Sequence, residues 1–148
     1  MSQYINFYLK IERKDIEWVN VANYSRSYDL YQAAQHYTPF EELEQVDKDW
    51  FNNVLDELRA RIESIKRQYD LCKNTFDSIK DMNNSVSEKM DAYREIQEYL
   101  DEYKDELEYA NAALGRILAF QDMWETIPED TSMWVGIEAC PEDYNEKN

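Results

Sequence analysis

The hydrophobic positions change period along this chain, and the changes mark its elements. Ile5, Phe7, Leu9 and Ile11 alternate with Tyr4, Asn6, Tyr8 and Lys10, the period of two expected of a half-buried strand. A polar stretch at 12–15 then predicts a turn, and Ile16, Trp18 and Val19/Val21 predict a second strand over 16–22. Asn23-Tyr24-Ser25-Arg26-Ser27 reads as a polar loop with capping residues ahead of a short helix over 28–37. Thr38-Pro39 ends that helix, and FEELEQV after it reads as another short helical turn, because proline suits a first helical position.

From Asp47 the period lengthens. Phe51, Leu55, Leu58, Ile62, Ile65, Tyr69, Cys72, Phe76 and Ile79 succeed one another at 4-3-4-3-4-3-4-3, the heptad spacing of coiled-coil packing. Asn83-Asn84-Ser85 interrupts the series as a polar tip. A second series then runs through Val86, Tyr93, Ile96, Leu100, Tyr103, Leu107, Ala110, Leu114 and Ile117 to Phe120 and Trp124, with Lys89 interrupting it near the tip and Pro128 ending it. Two long helices joined by so few residues are expected to fold back antiparallel. Trp50 and Trp124 fall at the same end of that hairpin, where a sheet would dock. After Pro128, residues 132–139 alternate again and predict a third strand beside the N-terminal pair. The expected fold is therefore α+β, mostly α: a long antiparallel, coiled-coil-like helical hairpin on a small three-stranded antiparallel sheet with a short helix. It reads as a single domain over 1–148, with a β-hairpin and short helices to residue 46, the helical hairpin over 47–127, the third strand over 128–140 and an acidic tail over 141–148.

Composition sharpens this picture. With 148 residues the chain suits one domain with a real core. It has 2 glycines and 3 prolines, and no glycine precedes Gly115, which excludes phosphate-cradling loops, the dinucleotide fingerprint and the nucleophile elbow. No charged start leads into an apolar run, and no stretch approaches the roughly 20 apolar residues of a membrane helix. A soluble, cytoplasmic protein is expected. Cys72 and Cys140 are then expected as free thiols. With Cys72 at a core position it should also be inert.

Little in the chain suggests catalysis, and no catalytic residue, cofactor or metal is expected. His36 is the single histidine, so metal motifs built on paired histidines are absent. Carboxylates strung along one straight helix diverge and cannot wrap a cation.

Charge is the informative property. There are 32 acids against 16 bases, a net charge of −16. That field repels phosphate backbones and attracts basic proteins, so direct nucleic-acid binding is not expected. Residues 1–83 hold 15 acids and 11 bases, and residues 84–148 hold 17 acids and 5 bases. Most of the excess therefore belongs to the second arm and the C-terminal segment. Glu88, Asp91, Glu95, Glu98, Glu102 and Asp105 recur at 3-4-3-4-3, two positions off the apolar stripe, and Asp101 and Glu108 widen the row. Such a row extends roughly 25 Å, with a carboxylate about every 5 Å. Like charges at i,i+4 cost a helix a few tenths of a kcal/mol per pair, and a merely solvated face would interleave lysines. Arg59, Lys66, Lys73 and Lys80 recur every seven residues on the first arm and read as flanking ion-pair donors.

In composition and build, though not in any motif, the chain resembles the small acidic inhibitors carried by phages and mobile elements: anti-CRISPR, anti-restriction and DNA-mimic proteins. That resemblance implies a non-enzymatic protein that binds the basic, nucleic-acid-holding groove of an enzyme or complex, its carboxylates standing in for phosphates. A second expectation is a structural or assembly protein that oligomerises through the hairpin, using apolar positions off the stripe: Val54, Leu71, Met82, Met90 and Leu118. A third is a small nucleotide binder at Tyr24, Ser25, Arg26, Ser27 and Tyr28, where an arginine between two hydroxyls can hold a phosphate.

Overall fold

The computed structural model of the chain describes residues 3–13, 15–25 and 28–139. Its order is β1 (Gln3–Glu12), β2 (Ile16–Ser25), α1 (Tyr28–Ala34), β3 (Leu43–Gln45), α2 (Lys48–Ser78), a 3-10 turn (Ile79–Asp81), α3 (Val86–Thr126) and β4 (Thr131–Ala139). The fold is α+β and mostly helical. Among the described residues, no helix is long and apolar enough to cross a membrane. The chain forms two compact units, one from Met1–Leu58 with Ala113–Asn148 and the other from Arg59–Ala112.

The first unit is built on an antiparallel sheet of four strands, ordered β2-β1-β4-β3, rather than the expected three. The extra strand, β3, lies where the sequence predicts a helical turn. Phe40, Leu43 and Val46 have helical spacing, but the free edge of β4 offers backbone partners that a lone helical turn cannot match. Glu41 N–H donates to the Ile137 carbonyl (2.8 Å) and Val46 N–H to the Met133 carbonyl (3.0 Å). Between them Leu43, Glu44 and Gln45 pair with Gly136, Val135 and Trp134. Gly136 eases this approach: a Cβ on it would lie 2.8 Å from Leu43 Cδ2, the far end of an exposed side chain that would have to shift, and 3.3 Å from the Glu42 carbonyl oxygen. The third expected strand forms as β4 and pairs with β1, from Gln3↔Ala139 to Ile11↔Thr131.

β2 continues through Asn23, Tyr24 and Ser25, where the residue types predict a loop. These residues pair with Asn6, Ile5 and Tyr4. Turn-forming residue types yield here to the ten-residue partner that β1 provides. The β1–β2 register slips between Phe7 and Tyr8, which pair with Ala22 and Asn20, so Val21 bulges. A one-residue slip exchanges the faces of a strand. Ala22 and Tyr24 therefore share the face of Phe7 and Ile5, whereas Ile16 and Trp18 fall on the opposite face with Glu12 and Lys10. Ile16 and Trp18, two of the apolar positions that predict this strand, are 63% and 45% exposed.

The core face of the sheet presents Ile5, Phe7, Met133, Val135 and Ile137, all buried, to Leu30, Val46, Trp50, Phe51, Ile117 and Phe120. Phe7 stacks on Phe120 (centroids 4.1 Å apart) and meets Trp50 edge-on at 6.0 Å. Phe51 packs on Trp124 at 5.4 Å, which brings the start of α2 beside the end of α3. The Trp50 indole N–H, buried with these rings, donates to Thr38 Oγ1 (3.0 Å). Helix α1 stops at Ala34, short of the expected residue 37. Val54 is fully buried in this core, so it is not available as an oligomerising position.

In the second unit α2 and α3 run antiparallel. Arg61 pairs with Glu106 (3.6 Å), Phe76 meets Tyr93 edge-on at 4.9 Å, and Lys89 Nζ donates to the Lys80 carbonyl (3.0 Å). Lys89 therefore serves as a cap for the turn that ends the first arm. Ile62, Ile65, Ile79, Leu100 and Ala110 are buried, but Cys72 is only half-buried, and Val86 is exposed. Lys66 and Lys73 find carboxylates within their own helix, at Glu63 and Asp77.

Candidate functional site

Helix α3 begins at a cap of its own making. Glu88 N–H, one of the donors that a helix start leaves open, donates to Ser85 Oγ (3.2 Å), and Asn84 Nδ2 donates to Glu88 Oε2 (2.8 Å). From there the 3.6-residue period divides the helix. Within the second unit Tyr93, Ile96, Leu100, Tyr103, Leu107 and Ala110 are buried or half-buried, whereas Glu88, Asp91, Glu95, Glu98, Asp101, Glu102, Asp105 and Glu108 are all exposed. The eight residues singled out from the sequence thus lie together along one exposed side of α3.

Their partners divide them. Asp91 is 3.7 Å from Arg94, both side chains being highly exposed. Asp101 accepts from Gln97 Nε2 (3.0 Å), and Glu88 accepts from Asn84. Among the described residues, no base lies within ion-pair distance of Glu95, Glu98, Glu102, Asp105 or Glu108. The nearest cross-helix pair, Arg61–Glu106, uses a carboxylate outside the row. The result is a strip of solvated, mutually repelling negative charge. It can attract a surface of clustered Lys and Arg from a distance and give up its water to such a surface. Among the described residues, no three His, Cys, Asp or Glu side chains converge as they would to hold a metal ion.

The Tyr24–Tyr28 segment is arranged differently from its expected loop. Tyr24 is a strand residue whose ring meets Phe120 edge-on at 6.1 Å and carries the Arg116 guanidinium 4.7 Å from its centre. It is thereby engaged in packing rather than open to a nucleotide base. Ser25 ends β2, Tyr28 begins α1 with its side chain exposed, and Arg26 and Ser27 lie outside the described residues, as does Cys140. His36 lies edge-on to Tyr37 at 6.2 Å.

One cluster is not foreseen by the sequence pattern. On the face of the sheet opposite the core, Lys10 Nζ sits 5.4 Å from the Trp18 ring and 5.5 Å from the Trp134 ring, and the two indoles meet edge-on at 5.5 Å. Beside them Tyr4 donates to Glu138 (3.1 Å) and Asn20 to Asn6 (3.2 Å). Burial and the neighbouring Glu138 carboxylate push the Tyr8 phenol above its ordinary value, against a lowering hydrogen bond with Asn20. The alternation of each strand hints at these outward residues, but only the pairing of β1 with a strand more than a hundred residues later brings them together. Comparison of the chain with protein-family models, with curated proteins and with solved structures returns no match.

Proposed function

We propose that this chain is a non-enzymatic, protein-binding inhibitor, of the anti-defence kind carried by phages and mobile elements. In this reading the exposed acidic face of α3 enters the nucleic-acid-binding groove of a larger protein and occupies it by mimicry of a DNA or RNA strand. The observation that carries the reading is the run of exposed carboxylates without basic partners among the described residues, Glu95, Glu98, Glu102, Asp105 and Glu108. Their mutual repulsion destabilises the isolated helix, and a basic groove would turn that repulsion into attraction. The chain's net charge of −16 disfavours nucleic acid itself as the partner.

The test is charge reversal. A variant with Glu95, Glu98, Glu102 and Asp105 all changed to lysine keeps its helical circular dichroism in this reading. It no longer retains the protein captured from the native cell by the wild-type chain, and excess duplex DNA or RNA displaces that protein from the wild type. Capture that survives both the reversal and the nucleic-acid competitor overturns the reading.

A second reading, assembly through the hairpin, draws on the exposure of Leu71, Met82, Met90 and Leu118. It predicts a salt-insensitive dimer or higher oligomer in sedimentation, since apolar surface would hold it. A monomer at all salt concentrations rules it out.

A further inference from the structure

β2 is an edge strand of unusual openness. It is ten residues long, and among the described residues only β1 pairs with it. The opposite edge, β3, is three residues long. Edge strands usually protect themselves with lysine, proline, bulges or brevity; β2 reads IEWVNVANYS, without lysine or proline, and its bulge at Val21 leaves Ile16–Asn20 in regular pairing. Ile16, Trp18 and Val19 stand exposed along it. Its backbone can therefore accept a further strand.

The side chains beside that edge specify what the strand would carry. On one face Lys10, paired with Trp18 in the β-ladder, lies over both the Trp18 and Trp134 rings. The three groups form one cluster, each 5.4–5.5 Å from the other two, and Trp18 remains 45% exposed at its edge, where a second cation can reach the ring. On the other face Ile11, Arg13, Asp15 and Glu17 line an open cavity of about 320 Å³. Arg13 is committed to Asp130 at 2.8 Å. Among the described residues, Asp15 and Glu17 have no basic partner. A lysine or arginine there would lay its stem on Ile11 and its charge between two carboxylates.

We propose that the β2 edge binds an extended segment of a partner protein by strand addition, the segment carrying two consecutive basic residues between apolar ones. Neighbouring residues of a strand point to opposite faces. The residues opposite Trp18 and Glu17 are therefore adjacent in the incoming strand: one basic side chain stacks on Trp18 and the next reaches Glu17 and Asp15. Apolar neighbours would meet Ile16 and Val19. The backbone hydrogen bonds supply affinity and the two basic positions supply specificity. A second copy of this chain is disfavoured as the occupant, because two molecules of charge −16 repel each other and β2 contains no base to offer Glu17. This surface is built from other residues than the acidic face of α3 and does not depend on the function assigned to it.

The experiment uses the full chain and a fluorescein-labelled peptide, Thr-Val-Val-Arg-Lys-Val-Thr-Val, read by fluorescence anisotropy. Binding is expected. It should weaken about fivefold or more in Glu17→Lys and in Val19→Lys, each a like-charge or edge-blocking change at an exposed site. It should be lost when alternate peptide amides are N-methylated, and unchanged in a variant carrying Glu98→Lys and Glu102→Lys on α3. No binding overturns the proposal. So does binding that tolerates N-methylation or vanishes with the α3 reversals, since either means attraction by charge alone. A wild-type dimer that Val19→Lys dissociates also overturns it, because the edge then belongs to a second copy.

Discussion

Trp50 and Tyr8 illustrate how single side chains in this protein are governed by partners distant in the chain. The Trp50 indole can sit in the core because Thr38 accepts its N–H. An orphaned donor there would lose about 1–3 kcal/mol. Tyr8 lies on the other side of the sheet, where burial and Glu138 raise its phenol above the ordinary value of 10.0. A raised phenol keeps its proton in the folded state when the unfolded chain has already lost it. The contribution is therefore fully present below the unfolded value and is lost as pH rises through the folded value. Wild-type stability should decline as pH rises past about 10, and Tyr8→Phe should decline less steeply. Denaturant unfolding from about pH 9 to 11 measures this, and equal slopes would contradict it.

Among the elements, α3 is set by its start. Ser85 and Asn84 tie down the first turn around Glu88, before the carboxylates of the outer face begin to repel one another. Ser85→Ala should cost about 1 kcal/mol, visible as a lower midpoint in urea with an unchanged slope. The N-terminus of this helix is legible in the sequence because the polar Asn83-Asn84-Ser85 tip separates the two apolar series. β3 is not, because Phe40–Val46 carries a helical spacing that is overruled by hydrogen bonds to β4. The outward turn of Trp18 is also hidden: the bulge at Val21 that decides it exists only in the pairing with β1. The acidic row needs no such knowledge. Its residues lie within one helix, and helical periodicity alone places them on one side.

Over the whole molecule the net charge of −16 acts on everything at once. Self-repulsion destabilises any compact state with so unbalanced a charge, and salt screens it. Thermal unfolding at neutral pH should therefore shift upward by a few degrees between low salt and about 0.5 M. Capture of a basic partner by α3 should weaken over the same range. The opposite signs separate the two effects: charge opposes the fold and favours the association. If added salt lowers the melting temperature, self-repulsion does not limit the stability of the fold.

Local periodicity carries the existence and direction of β1, α2, α3 and β4, and the solvent-facing acidic row; all of these can be read from the chain alone. Each depends on residues a few positions apart, where the geometry of a helix or strand allows only one arrangement. The fourth strand, the face on which Ile16 and Trp18 lie, the placing of Tyr24 against Phe120 and Arg116, and the Lys10–Trp18–Trp134 cluster arise only in three dimensions. The first and last depend on pairing between strands far apart in the chain, and the other two on a bulge within the β1–β2 hairpin. The β3–β4 pairing is held by backbone groups that the sheet edge leaves open, and the lack of a Cβ on Gly136 eases the approach of Leu43. Neither is written in the spacing of hydrophobic residues.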